Sequence, residues 1–307
     1  LQALENIRSE GGIVKVSYFP GCTLNTKGKG FDRSVRESMA ALGVELEELP
    51  DWNCCGASFP LLVDNLLDLA GPARVLVAAS AQGDKLATAC TTCYNVLKRT
   101  NRVIRLDRDR RERLNYFIEA DYQGQVEVMD VLQVLRDEVG FEKVRAEVKK
   151  SLNGLKVACY YGCMVLRPPA EVAYDDPENP QALDELMASL GAEPVLWGGK
   201  VECCGNYLVA IRPELAMEMS YRIISSAYRA GAEVLVTNCP LCQFNLDRWQ
   251  KDLVVKKGGF RPLPVLYFTQ LLAIALGLDP TRYELEKHYV DPKPLLKSKG
   301  LLNQEAG

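Results

Sequence analysis

One arrangement of cysteines occurs twice in this chain, and it restricts the possible folds more than any other feature. The first copy runs Cys22, 31 residues, Cys54-Cys55-Gly56, 33 residues, then Cys90-x-x-Cys93. The second runs Cys163, 39 residues, Cys203-Cys204-Gly205, 33 residues, then Cys239-x-x-Cys242. Four of the five positions are offset by 149 residues and the first by 141. The polar, turn-rich stretch Asp175-Asp176-Pro177-Glu178-Asn179-Pro180 is the natural place for the extra residues. The repeat implies a duplicated domain, with the boundary at the turn Asn153-Gly154: 1–152 is the first domain, and 153–307 the second with a C-terminal tail. At 307 residues, each half is long enough to bury its own core.

Each half repeats one order of elements. Val14 to Phe19 alternates and predicts a strand leading to Cys22. Phe31 to Leu42 has helical spacing and stops before Gly43. Leu46 to Leu49 predicts a short strand before Cys54-Cys55. Leu61 to Ala81 predicts a buried helix broken at Gly71-Pro72. Leu86 to Ala89 predicts a strand, after which Cys90-x-x-Cys93 opens a helix to about Lys98. In the second half the strands are Leu155 to Tyr160, Pro194 to Trp197 and Val234 to Thr237. The helices there are Gln181 to Leu190, Pro213 to Ala230 and one opened by Cys239-x-x-Cys242. Val128 to Glu147 predicts one or two helices, and the proline-bearing tail from Asp279 is expected to wrap the surface, with a flexible end from Asn303. Alternating strands and helices predict parallel α/β packing. Every cysteine group follows a strand, which puts each set of five at the carboxyl rim of its sheet, where such folds bind ligands. A helix amino terminus at each Cys-x-x-Cys favours thiolate over thiol.

Five thiols per half limit the chemistry. A disulfide framework is disfavoured, because a chain of this size with no visible export signal differs from disulfide-dense scaffolds and vicinal bridges are strained. A closed zinc site takes four ligands and leaves one cysteine over in each half. A cubane iron–sulfur cluster also takes four. Soft, all-sulfur shells suit iron–sulfur and zinc alike, and five thiolates favour an unusual iron–sulfur cluster, so zinc remains an alternative on spacing alone. No G-x-G-x-x-G opens a helix and no ferredoxin-type cysteine run is present, so any electrons must come from a partner. The net charge of −3 disfavours a nucleic-acid clamp. No apolar run reaches the ~20 residues of a membrane span, and no basic, then apolar, leader is seen from Leu1 to Gly12. A cytoplasmic location is therefore expected.

The doubled pattern resembles the cysteine-rich CCG domain, which occurs twice in the B subunit of heterodisulfide reductase and in relatives attached to several dehydrogenases. The resemblance covers about Val14 to Leu278. It is carried by Tyr18-Phe19-Pro20-Gly21-Cys22, Trp52-Asn53-Cys54-Cys55-Gly56-Ala57, Tyr161-Gly162-Cys163, Arg167-Pro168-Pro169, Asp176-Pro177-Glu178-Asn179-Pro180, Cys239-Pro240-Leu241-Cys242-Gln243 and Tyr267-Phe268-Thr269-Gln270-Leu271. It implies two similar Rossmann-like α/β (CCG) domains related by pseudo-two-fold duplication. It further implies two noncubane [4Fe-4S] clusters. One is held by Cys22, Cys54, Cys55, Cys90 and Cys93, the other by Cys163, Cys203, Cys204, Cys239 and Cys242. The implied reaction is reduction of a small disulfide, such as that of coenzymes M and B, by homolytic cleavage between the clusters. The alternative is an electron-transfer module that cleaves no disulfide. The implied partners are a ferredoxin-like iron–sulfur subunit (of the reductase's C type) and a flavin-containing subunit (of its A type). One departure stands out: Asn206-Tyr207 follows the second pair, where the family's B subunits often have small residues and where the first half has Ala57-Ser58.

Other residues read more plainly. Cys159 lies outside both sets and is expected to be a buried free thiol on a strand. His288, the single histidine, is expected at the surface of the tail. Lys27, Lys29, Arg167 and Lys200 lie near the cysteines in sequence and are candidates for an anionic substrate tail, against the commoner reading of solvated surface charges. The run Arg105, Arg108, Arg110, Arg111, Arg113, interleaved with Asp107, Asp109 and Glu112, is expected to be a solvated helix face.

Overall fold

The computed structural model describes residues 14–57 and 65–303. In the first half, strands β1 (Val14–Tyr18), β2 (Val44–Glu48), β3 (Lys85–Thr88) and β4 (Glu127–Asp130) form one parallel sheet of order β2-β1-β3-β4. In the second, β5 (Lys156–Tyr160), β6 (Glu193–Pro194), β7 (Val234–Thr237) and β8 (Val265–Tyr267) repeat it as β6-β5-β7-β8. Eight helices matter here: α1 (Lys29–Ala41), α2 (Ala70–Gln82), α3 (Thr91–Leu106), α4 (Arg108–Ile118), α5 (Ala182–Ser189), α6 (Pro213–Arg229), α7 (Pro240–Arg248) and α8 (Phe268–Ala275). Shorter turns of helix join them. The expected duplicated α/β architecture is therefore the architecture observed.

The central strands are buried on both faces, as parallel strands under crossover helices must be. Successive residues of β5 point to opposite sides. Val157 and Cys159 enter a core that runs through both halves, from Val16 to Leu301, whereas Ala158 and Tyr160 enter a smaller core with Ile223, Ile224 and Leu246. This side assignment makes Cys159 a fully buried thiol, as expected, and burial pushes its pKa up.

Several expectations need correction. The stretch from Val128 begins as β4 before turning helical at Val131–Val134, because its first residues complete the first sheet. Strand β8 is not among the expected strands; its three residues are too few for a period to emerge. The helix expected from Leu61 begins, among described residues, with a turn at Leu66–Leu69 followed by α2; its first residues lie outside the described set. Gly71 and Pro72 fall in the first turn of α2 rather than breaking it, where the missing proline N–H costs nothing. The tail does not simply wrap the surface. Tyr283, Leu285, Leu296 and Leu301 are buried, Tyr283 donates to Glu37, and the Gly30 N–H donates to Glu284. Residues 304–307, the end expected to be flexible, lie outside the described residues. Among the described residues no helix is long and apolar enough to cross a membrane.

Candidate metal centres

In each sheet the chain runs from its first strand out to one edge and then crosses back to the other side. The carboxyl ends of β1 and β3, and of β5 and β7, thus border a crevice at the switch point. Cys22 lies in the turn of helix Gly21–Thr26 just after β1, and Cys90 and Cys93 stand at the N-cap and first turn of α3, just after β3. Cys239 and Cys242 occupy the same places on α7 after β7. Two glycines make the approach possible. Gly21 has φ +73°, and a Cβ there would meet the Cys93 sulfur at 2.9 Å; Gly162 has φ +67°, and its Cβ would meet the Cys242 sulfur at 3.3 Å. After each vicinal pair, Gly56 (φ +82°) and Gly205 (φ +80°) turn the chain back. Their N–H groups donate to the Cys54 and Cys203 sulfurs at 3.4 Å.

The structure gathers all ten cysteines of the two sets. Sulfur–sulfur separations are 3.8 Å for Cys22–Cys54, 3.4 Å for Cys55–Cys93 and 3.5 Å for Cys204–Cys242. These are contacts between free thiols, far longer than the ~2.05 Å of a disulfide. Crowding splits the thiol acidities. A hydrogen bond from Cys93 draws Cys55 down to about 7, while burial pushes Cys54 up to about 11. In the second set, a hydrogen bond from Cys242 draws Cys239 down to about 6. Cys163 donates to Cys203, lowering Cys203 and raising Cys163. Each set thus holds some sulfurs ready as thiolates, the form that binds metal. Among the described residues no three His, Cys, Asp or Glu side chains converge on the position of a single ion. A closed cage for a single ion such as zinc is therefore not preformed among the described residues.

The two sets meet at a seam between the halves. The buried Thr91 hydroxyl, without a well-aligned hydrogen-bond partner, lies against Cys239 and helps hold its pKa down. Asn95 on α3 donates to the carbonyls of Met164 and Arg167, both at 2.7 Å. Tyr94 donates to the Val172 carbonyl, and Arg99 pairs with Glu171 at 2.7 Å. On the other side of the seam, Phe31 stacks on Tyr267 with centroids 4.0 Å apart, and Ser34 bonds Thr269 at 2.6 Å. Fully buried Asp130, its carboxyl pushed up to about 7 by burial, accepts from Asn238, the neighbour of Cys239. Sequence reasoning missed Thr91, Asn95, Asp130 and Asn238, because nothing in the pattern says which helix faces which turn. Only their positions beside cysteines or at strand ends hinted at a role.

The remaining candidates separate. Lys200 is buried and paired with Asp184 at 3.1 Å, its Nζ also donating to the Pro180 carbonyl. It is neither a solvated lysine nor a free substrate anchor, and its carbonyl accepts from Tyr161 and Gly162, bracing the turn before Cys163. Arg167 is partly exposed and pairs with Glu178 at 2.8 Å. Lys27 and Lys29 are exposed. The arginine run lies on α4 and its approach, with Arg108–Glu112 and Arg113–Asp109 pairs at the surface, as expected. His288 corrects its expectation. Its side chain is 4% exposed, shares hydrogen bonds with Gln243, Gln270 and the Val265 carbonyl, and is held neutral by burial, its pKa near 4. The tail carries it inward because Tyr283 and Leu285 anchor the chain on both sides of a turn.

The chain is similar to known proteins. The cysteine-rich domain (CCG) family model matches residues 16–98 and 157–247. The 8-methylmenaquinol:fumarate reductase membrane anchor subunit of Wolinella succinogenes is 35% identical over 91% of this chain and 98% of its own length. The B subunit of the ferredoxin/F420H2-dependent CoB-CoM heterodisulfide reductase of Methanosarcina acetivorans is 29% identical over 91% of this chain and 94% of its own. A solved structure, a hypothetical protein from Helicobacter pylori, superposes with a TM-score of 0.71 at 13% identity; the match covers 90% of this chain and about half (51%) of that one, and speaks to the fold alone.

Proposed function

The chain belongs to the cysteine-rich CCG domain family that includes the heterodisulfide reductase B subunits, and on that premise we propose that it is the iron–sulfur subunit of a multisubunit oxidoreductase that reduces a small disulfide. Cys22, Cys54, Cys55, Cys90 and Cys93 hold one noncubane [4Fe-4S] cluster, and Cys163, Cys203, Cys204, Cys239 and Cys242 the other. When bound, such clusters supply single electrons and iron that accepts sulfur ligands. The observation that carries the reading is the seam itself, where Asn95, on the helix opened by Cys90 and Cys93, donates to the Met164 and Arg167 carbonyls beside Cys163 at 2.7 Å and so holds the two cysteine sets side by side. Two one-electron centres side by side suit a reaction that takes two electrons and two protons per disulfide and releases two thiols. The glycine turns and the Asn95 stitch keep the sulfurs at fixed positions, and the helix termini favour their anionic form. A ferredoxin-like subunit feeds the electrons, drawing on a flavin subunit, on the cytoplasmic side. The domains divide between residues 152 and 153.

A second reading has its own support. The relative at 35% identity is named as the membrane anchor subunit of a fumarate reductase; on this reading the clusters pass electrons to another enzyme and cleave no disulfide. One experiment tests both. Anaerobically reconstituted protein should bind about eight irons with matching sulfide, and with reduced viologen as donor it should convert hydroxyethyl disulfide to thiol. Full iron without thiol formation favours the second reading, and two zincs in place of iron exclude both.

A further inference from the structure

The two halves offer the same seam position twice and fill it differently. The 149-residue offset that relates Cys90 to Cys239 relates Asn95 on α3 to Phe244 on α7. Asn95 stitches α3 to the turn after Cys163 through two carbonyls. Phe244 has no donor to offer the turn after Cys22. There, instead of a stitch, lies a cavity of about 530 Å3, bordered by Thr23, Lys27, Phe31, Leu241, Phe244 and His288. Tyr207 makes a second difference. It follows Gly205 on the turn Asn206–Leu208, where the first half's sequence has serine. Its hydroxyl donates to the Met164 sulfur at 3.7 Å and reaches Thr92 of the first half. The ring therefore stands over the Cys163 turn at the seam, and Cys90, Cys163 and Cys239 are all close enough to act on its hydroxyl. Exposure follows the same division: Cys22 and Cys54 are exposed, Cys163 and Cys203 only partly so.

Resting on the reading above, we propose that the seam is open on one side only: a small thiol or disulfide approaches the centres through the cavity beside Cys22, and Tyr207 closes the approach over Cys163. Tyr207 is then the residue that sets the girth of what the second centre can meet.

Labelling of the full, iron-free chain with N-ethylmaleimide and with a polyethylene-glycol maleimide, read by peptide mass spectrometry, tests this. In the unsubstituted chain the bulky reagent should modify Cys22 and Cys54 at least about tenfold faster than Cys163 and Cys203. Tyr207→Ser should raise labelling of Cys163 and Cys203 about tenfold and leave Cys22 unchanged, while Tyr207→Phe, which keeps the ring, should stay low. Equal labelling of both halves in the unsubstituted chain overturns the proposal. So does a Tyr207→Ser pattern unchanged in a protein with the same thermal midpoint. In the iron-loaded chain, 2-mercaptoethanol and glutathione should both perturb the spectrum of the first centre, and glutathione should perturb that of the second only after Tyr207→Ser. A spectrum silent to every thiol in the unsubstituted protein ends the disulfide reading, and the labelling result still decides the one-sided seam.

Discussion

The first and second sulfur centres are built from the same parts and present themselves differently. Both sit at the switch point of a sheet with the same strand order, each with a left-handed glycine before its first cysteine and another after its vicinal pair. The first leaves Cys22 and Cys54 exposed, with a cavity bordered by Thr23, the neighbour of Cys22. The second is overlaid by Tyr207, braced from behind by the Lys200–Asp184 pair, and has Asn245 donating to the Cys204 carbonyl. Duplication thus preserved the residues that place sulfur and let the residues around them diverge. The inserted stretch before Ala182 belongs to this divergence. Residues just ahead of it, Glu171, Val172 and Tyr174, take the contacts of Arg99, Tyr94 and Arg136 from the first half, so the second half's longer loop clasps its partner.

The largest break in this comparison should come at Lys200. In Lys200→Met the Asp184 carboxylate stays buried without its cation, a loss of about 3 kcal/mol. Denaturant unfolding should show that loss, and iron should fall from about eight toward about four as the second centre empties first. Equal stability, or even loss from both centres, would show that the brace is not specific to the second half.

A smaller contrast is expected between Gly21→Ala and Gly162→Ala. Both place a side chain at positive φ, at a cost of about 1–3 kcal/mol. The added methyl meets sulfur at 2.9 Å in the first and 3.3 Å in the second, so Gly21→Ala should lose more iron and unfold at lower temperature. The reverse ranking would mean that the second crevice is the tighter one.

The smallest effect concerns His288, which lies on the second half's side of the cavity. Burial lowers its pKa to about 4. As pH falls from about 6.5 toward 4, the unfolded chain takes up a proton that the folded chain refuses, so stability is full above that window and is lost within it. Asp247, raised to about 6 by burial, opposes this below pH 6, because the folded chain binds its proton more readily than the unfolded one. Glu286 and Asp291 also face the ring and favour its charged form. Between pH 7.5 and pH 5, His288→Gln should lose about 2 kcal/mol less stability than the unsubstituted chain, measured by denaturant midpoints. Identical losses would place the titration elsewhere.

The cysteine spacing by itself determined the duplication, the two groups of five and their position after strands, because a strand of set length delivers its next residue to a known rim. It also contained the glycines that let sulfur approach backbone, since only a residue without Cβ tolerates those turns beside Cys93 and Cys242. Short strands such as β8 and the strand start of the Val128 stretch stayed hidden, because a few apolar residues carry no period that separates strand from helix. Tertiary structure alone decided that Lys200 and His288 are buried, that Asn95 grips the Cys163 turn, and that the cavity opens beside Thr23, the neighbour of Cys22, rather than beside its counterpart. The reason is physical: spacing constrains neighbours along the chain, whereas burial and docking depend on which faces of two separately folded sheets come together.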